Sequence, residues 1–561
     1  MKDIRNKVFL NSLSEDVEKN MLEIRDLTKK EALSLLLAND EFEENVEHYK
    51  NLNKGIDFLL NTMANNDNIA IQIDSDVDGY FSGALVYQVI YDDFEYENVT
   101  YILNNKKKHG FELNKLDSLI KNNIKLLIIP DGGSTDIEPL QVLTNKGIKI
   151  LILDHHEIEV KDKLYDIENN IALINNQDGS VENIYLSGCG VTYKFCKELL
   201  SCCDGDIGNK YLDLVACSLV SDVCNLKYSY ENRYYLNKGS KISNVTNLFL
   251  LEMASHMGKN KKDKFTIEDF GFSISPVLNA IIRLGSKEEK EILFNALIGT
   301  EDFIPHRGKA VTYQKKIRLL GQNYQKKQRE RKKELSNKIC KKLNEKILSN
   351  IILYIDEDDE IERPLTGLIA NGVSDIYERC TLIGKPQDEV INGSARTYGD
   401  FDLKKFCEQS HLFEYCLGHS GSFGFSIKRE NINKFIEYSN KFIETEKKLI
   451  KVEKIYDNYI PSDDVKKIVS YENLWCNSIE TPLYLLENAI FKVKNITKIG
   501  NSTYKFENDN VTIYKYFCSK VAFEELISNT QEDESIILDA LVEFRYKFGR
   551  KIIIKDWERV G

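Results

Sequence analysis

Three stretches of the sequence run from aliphatic residues straight into acidic groups. Residues 69–79 read IAIQIDSDVDG, residues 126–134 read LLIIPDGGS, and residues 150–157 read ILILDHHE. The first supplies Asp74, Asp76 and Asp78 at alternate positions, the second Asp131, and the third Asp154, His155 and His156. Two of only eight histidines are therefore spent side by side. Carboxylates gathered in one cleft repel one another and need a cation to balance them. Mixed carboxylate and imidazole donors suit Mn²⁺, which accepts both. Two such ions about 3.5–4 Å apart would activate a water and neutralise a phosphoryl oxygen. Any single strand-end acid could instead cap the helix that follows it. A calcium loop beginning at Asp74 fails on two counts. Its twelfth position, which needs a bidentate glutamate, is Leu85, and a strand rather than a helix leads into it.

The elements that must carry these groups are legible in the hydrophobic pattern. Over the first ~230 residues short aliphatic runs alternate with helical patterns, the signature of a parallel sheet wrapped by helices. Strands are predicted at 69–73, 99–103, 126–129, 148–153 and 171–174. In an open parallel sheet the ligand crevice lies beyond the carboxyl ends of the strands, where the acids and imidazoles would meet. The pattern turns helical between about 244 and 298. Residues 307–346 then predict a long, proline-free helix with 15 Lys/Arg against three Glu, inside a chain of net charge −12. Such asymmetry marks either a solvated connector or a nucleic-acid-facing surface. A second α/β unit is predicted over 351–445, with strands at 351–355 and 379–383. Five strand-like runs in the tail, about 455–561, predict a small β-barrel. Tyr504, Phe506, Tyr514 and Tyr516 are its candidates for stacking on unpaired bases.

Size and composition bound the class. A chain of 561 residues exceeds one core, so two to four domains are expected. No apolar run approaches the ~20 residues that span a bilayer, and the charged start lacks the apolar core of a signal peptide. The twelve cysteines form no Cys-x-x-Cys pair, which predicts reduced thiols in a cytoplasmic protein with no membrane partner.

Taken in order, IDSDVDGYFS, PDGGS, LDHHE and LVSDVCNL resemble the motif series of the DHH phosphoesterases, and among them the RecJ-type single-strand-specific exonucleases. NNKKKHGFEL and LSGCGVTYK resemble the segments that connect those motifs, and SISPVLNAIIRLG resembles a Pro-x-x-Asn-Ala-x-x-Arg segment of the same group. NGSARTYG and LGHSGSFGFSI resemble the DHH-associated domain, with Leu417 where two glycines usually precede the histidine. The fold this implies is α/β. It comprises a parallel-sheet DHH domain (1–240), a helical region with a long connector (241–350), a smaller α/β DHH-associated domain (351–450) and a C-terminal OB-like β-barrel (455–561).

The resemblance also implies roles. Asp74, Asp76, Asp78, Asp131, His155 and Asp222 would bind two Mn²⁺ ions, with Mg²⁺ as the alternative. His156 would contact the scissile phosphate, with Asp154 orienting the histidines and Asp78 serving the same catalytic group. Asn279, Arg283, Ser394, Arg396, Gly418 and His419 would hold the substrate. The implied activity is metal-dependent 5′→3′ hydrolysis of single-stranded DNA in repair, recombination or replication. It would be carried out by a monomer working beside a single-stranded-DNA-binding protein or helicase. Two alternatives stand beside it. One is a small-substrate enzyme cleaving very short oligonucleotides, pAp or cyclic dinucleotides, and the other is a non-catalytic DNA-binding replication scaffold.

Overall fold

The computed structural model describes residues 8–10, 14–104, 111, 113–158, 170–258, 264–344, 349–399, 401–442, 450–500, 502–516, 518–545 and 551–560. Most of the NNKKKHGFEL segment lies outside the described residues. The chain divides into two compact units. Unit 1 is Met1–Leu278, Lys290–Ile317 and Lys448–Gly561, and unit 2 is Asn279–Glu289 and Arg318–Lys447.

The first sheet of unit 1 is parallel, with strand order Val99–Leu103, Asn68–Ile73, Ile124–Pro130, Lys149–Asp154, Ile171–Asn175. All five expected strands are present, with ends shifted by at most two residues. Four are legible because strands buried on both faces read as near-continuous aliphatic runs, whereas Val99–Leu103, at the sheet edge, is partly exposed. On one face, Leu119, Leu140 and Leu143 pack from helices Leu116–Lys121 and Ile137–Thr144. On the other lie helices Leu52–Ala64, Val77–Gln88 and Gly188–Ser201. The chain leaves Asn68–Ile73 for the neighbour on one side and returns, one strand later, on the other. The resulting crevice between Asn68–Ile73 and Ile124–Pro130 is where doubly wound sheets bind ligands. Asp74 and Asp131 stand at that crevice.

The helical region holds Leu248–His256, Ser275–Leu284 and Lys287–Leu297, after helix Tyr230–Gly239. The expected helix from residue 307 begins later, at Tyr313, and runs to Asn344. Residues before it form a hairpin, Phe303–His306 with Lys309–Thr312. Its turn places Arg307 at φ 49° and Gly308 at φ 77°, the pair of positive values that matches the twist of a two-residue hairpin.

Unit 2 contains a mixed sheet ordered Phe413–His419, Ser422–Lys428, Val390–Arg396, Thr381–Gln387, Ile352–Ile355. Only two of these five strands were expected. Glycine at 393, 418 and 424 interrupts the alternation that marks a strand. Gly393 is required there, since a Cβ would collide with the Ile383 carbonyl of the neighbouring strand. Leu335, Ile339 and Leu343 of the long helix share a core with Ile369, Ala370 and Val373 of helix Thr366–Tyr377.

The tail, within unit 1, forms a seven-stranded sheet from Lys454–Asp457 at one end to Ile496–Ile499 at the other. Among the described residues its pairings make an open series, and closure into the expected barrel is not among them. An open sheet must bury its apolar face against another layer. Val17, Met21, Leu22, Ala32 and Leu35 of the N-terminal helices Val17–Glu23 and Lys29–Leu36 lie in one core with the tail. Tyr504 and Phe506 are buried in that core, whereas Tyr514 and Tyr516 are partly exposed. All twelve cysteines are free thiols. Among the described residues no helix is long and apolar enough to cross a membrane.

Candidate metal centre and anion site

Asp76 is the N-cap of helix Val77–Gln88, its side chain accepting from Gly79 N at 3.0 Å. Capping and membership of the acidic cluster thus coexist in one residue. Gly79 and Gly188 make room for the acids. A Cβ on the first would collide with Asp74, and a Cβ on the second with Asp131 Oδ1. Asp131 itself sits at φ 60°, with its N–H donated to Leu153 O at 2.8 Å.

Asp78 is buried and accepts from several donors. Its carboxylate accepts from Gly188 N (2.9 Å) and Cys189 N (2.8 Å) at the start of helix Gly188–Ser201. Ser218 Oγ donates at 2.5 Å and is itself held by Ser187 Oγ at 2.8 Å. His155 Nε2 lies 3.8 Å from Asp78 Oδ2, 3.2 Å from Asp131 Oδ1 and 3.6 Å from Asp222 Oδ2. Three groups offer ligand atoms within 4.8 Å of one another. They are Asp74/Asp76/Asp131, Asp78/His155/Asp222 and Asp131/His155/His156.

The electrostatics of this cluster call for a cation. Burial, then repulsion from Asp78, Asp76, Asp74 and Asp222, pushes the Asp131 carboxyl well above the ordinary range. Burial raises Asp78 to about 6, against the pull of His155. Among the described residues, both oxygens of Asp131 and Nε2 of His155 are buried without a hydrogen-bond partner. Buried polar atoms left in this state are costly. Divalent metal fits this donor set, and its oxygen and imidazole character suits Mn²⁺ or Mg²⁺ better than a thiol-seeking ion.

Asp154 stands apart from the three ligand groups. Its oxygens accept from Ser134 N (3.1 Å), His155 N (2.7 Å) and His156 N (3.3 Å), and Oδ1 faces His156 Nδ1 at 2.8 Å. Burial alone would raise its pKa, but the charge and hydrogen bond of His156 hold it well below the carboxylate range. Burial disfavours a charged His156, and Asp154 outweighs it, raising the imidazole to about 10. Asn175 Nδ2 completes the frame, donating to Ser134 Oγ (2.8 Å) and His156 O (3.0 Å). The His156 side chain remains 46% exposed, so it can meet a ligand from solution.

Sequence reasoning singled out the acids and missed what holds them. Ser134, Ser187 and Ser218 all lie in or beside quoted motifs. Their role has no sequence signature beyond a small hydroxyl at a helix start or facing an acid.

Unit 2 holds its own cluster. Arg396, on strand Val390–Arg396, donates to Ala395 O at 2.6 Å, and among the described residues no carboxylate pairs with it. Burial and the charge of Arg283 lower its pKa to about 10. Gly367 admits the guanidinium, since a Cβ there would collide with it. Ser394 Oγ lies 2.9 Å from Thr366 Oγ1 at the start of helix Thr366–Tyr377. Asn279 and Arg283 stand four residues apart on helix Ser275–Leu284, and so on one face. The charge of Arg283 thus reaches a guanidinium that no carboxylate among the described residues pairs with, an arrangement that can accept an anion. Gly418, at φ 128°, lies on strand Phe413–His419, and the His419 side chain is outside the described residues.

Comparison with known proteins fits this geometry. Residues 68–219 match the model of the DHH family, N-terminal domain. A Bacillus subtilis (strain 168) protein named "Putative SPbeta prophage-derived single-strand DNA-specific exonuclease YorK" is 28% identical over 513 residues, 87% of each chain. The single-stranded-DNA-specific exonuclease RecJ of Haemophilus influenzae is 23% identical over 405 residues, 68% of this chain and 67% of that protein. In fold, the chain resembles the crystal structure of Thermus thermophilus RecJ in complex with Mn²⁺. The TM-score is 0.70 at 15% identity, covering 97% of this chain and 76% of that one.

Proposed function

We propose that this chain, whose residues 68–219 are a DHH-family domain, is a metal-dependent exonuclease that hydrolyses single-stranded DNA in the 5′→3′ direction. The observation that carries the reading is the meeting of Asp131 and His155 at the sheet's switch point, their buried atoms without hydrogen-bond partners among the described residues and set among further carboxylates. The names of the relatives supply the substrate, and the resemblance supplies the polarity. A role in repair, recombination or replication follows, as does a partner that exposes the strand, such as a helicase.

Asp74, Asp76, Asp78, Asp131, His155 and Asp222 would hold the ions, two Mn²⁺ or Mg²⁺. The bound metal supplies an activated water and charge neutralisation at the phosphoryl oxygen. The chain's own residues do the rest. Ser218, Ser187 and the first amides of helix Gly188–Ser201 keep Asp78 aimed. Asp154 keeps His156 protonated at neutral pH and fixed through Nδ1, which leaves Nε2 to donate to a phosphate oxygen as charge builds there. Arg396 and Arg283 hold a phosphate of the nucleotide chain.

The test is a 40-nucleotide strand labelled at either end, incubated with Mn²⁺, beside a dinucleotide. Release of the 5′-terminal nucleotide first supports the reading. Cleavage of the dinucleotide alone assigns the chain to the small-substrate enzymes, and cleavage of neither assigns it to a binding scaffold.

A further inference from the structure

Helix Leu212–Ser221 ends with Asp222 as its C-cap. Val223 N donates to Val220 O and Cys224 N to Leu219 O, the two bonds of a Schellman turn. Such a turn needs a left-handed backbone just after the cap, where glycine is usual. Here the residue is Val223, at φ 59° and 59% exposed. A β-branched side chain is disfavoured in that conformation, and an exposed one gains little packing to offset it. The turn that presents Asp222 therefore needs support from elsewhere.

Beside Asn232 Nδ2, which donates to Asn225 O at 3.1 Å, support comes from the C-terminal region of the same unit. Leu226 N donates to Ser478 Oγ at 2.9 Å, and Leu226 O accepts from Arg233 Nε at 2.7 Å. Arg233 is 1% exposed, and its other nitrogens donate to Asn473 O (3.1 Å) and Leu474 O (2.6 Å). A buried guanidinium satisfied by carbonyls of two separate segments ties them to each other. Cys476 and Ile479 bond reciprocally through their backbones, which fixes Ser478 between them.

We propose that the 473–478 turn, acting on Leu226 through Ser478 and Arg233, positions Asp222 for metal binding. The C-terminal region is then part of the metal centre's scaffold. The inference rests on the reading of Asp222 as a metal ligand, and Ser478 is a positioning residue within it.

Mn²⁺ binding to the full chain, measured by titration calorimetry without substrate, tests this. Ser478→Ala should bind Mn²⁺ about tenfold more weakly, as loss of a supporting hydrogen bond does at other metal sites. Thermal unfolding should show the fold retained, and Ser478→Thr, which keeps the hydroxyl, should bind as the unaltered chain does. Adding Val223→Gly to Ser478→Ala should restore most of the affinity, because glycine adopts the left-handed turn unaided. Unchanged affinity in Ser478→Ala, or a loss that Val223→Gly leaves uncorrected, overturns the proposal. Asp131→Asn separates it from the reading beneath. If that variant binds Mn²⁺ normally, the metal centre and the clamp both fall. If it loses binding while Ser478→Ala does not, the clamp alone falls.

Discussion

His155 Nε2 stands 3.2 Å from Asp131 Oδ1, and neither buried atom has a hydrogen-bond partner among the described residues. Asp131→Asn should therefore lower turnover by orders of magnitude while leaving the fold intact, as followed by nuclease assay and circular dichroism. Near-native turnover in this variant is incompatible with a metal held by Asp131.

Asp131 and Asp78 set a pH dependence of stability. Asp131 lies well above the ordinary carboxylate range and Asp78 at about 6, so the folded, metal-free protein holds protons that the unfolded chain releases near pH ~4. Stability contributed by these groups is present at low pH and declines as pH rises through about 6. The unfolding temperature of metal-free protein should thus fall between about pH 5 and about pH 7, and Asp131→Asn should blunt the fall. Mn²⁺ should reverse it. A metal-free unfolding temperature that rises over this interval equally in both proteins would count against the cluster.

His155 and His156 should fail differently. His155 lies among three carboxylates, so His155→Ala should weaken metal binding and recover in part with excess Mn²⁺. His156 is half exposed and braced by Asp154, so His156→Ala should depress the chemical step with metal affinity little changed. Equal rescue of both variants by Mn²⁺ would remove the division.

The long helix carries its basic charge unevenly. Lys326, Lys327 and Arg329 are exposed, whereas Arg331 bonds Glu334 and Glu360 O, and Lys338 bonds Glu360. Reversing the three exposed residues to Glu should flatten the salt dependence of strand binding by about 2, at ~0.7 per phosphate contact. Arg331 belongs outside the set, since its loss would also release the 360–362 segment. Unaltered binding across salt would make this helix a solvated connector.

Removing the residues after 455 should abolish cleavage of a dinucleotide as well as of long strands. A tail that served only as a DNA-binding extension would leave the short substrate unaffected. Instead, it completes the core of helices Val17–Glu23 and Lys29–Leu36, and it holds Leu226 beside the Asp222 turn. Calorimetry should show a lower unfolding temperature together with lost Mn²⁺ binding. A truncated protein with full dinucleotide activity would refute this.

The five parallel strands, and the acids that end three of them, were legible in the sequence because a largely buried strand is mostly aliphatic, so a polar end stands out. The spacing of DSDVD and the DHH triplet likewise pointed to a cation site, and the structure brings Asp74, Asp76, Asp78, His155 and His156 into groups that could hold one. Strand order was not legible, since side-chain periodicity says which residues are buried but not which strand lies beside which. Only the fold placed Asn68–Ile73 next to Ile124–Pro130 and so brought Asp74 towards Asp131. Glycine hid the strands that carry Ser394 and Gly418, because it removes the alternating side chains that reveal a strand. Five of the tail's seven strands were visible, but the helices that cover its face come from the other end of the chain. Contacts such as Asn20 with Glu453 O, or Arg233 with Leu474 O, join residues hundreds of positions apart and leave no local pattern. Chemistry in this protein could be read from residue types, but its geometry depends on those long-range contacts, and only the folded chain makes them.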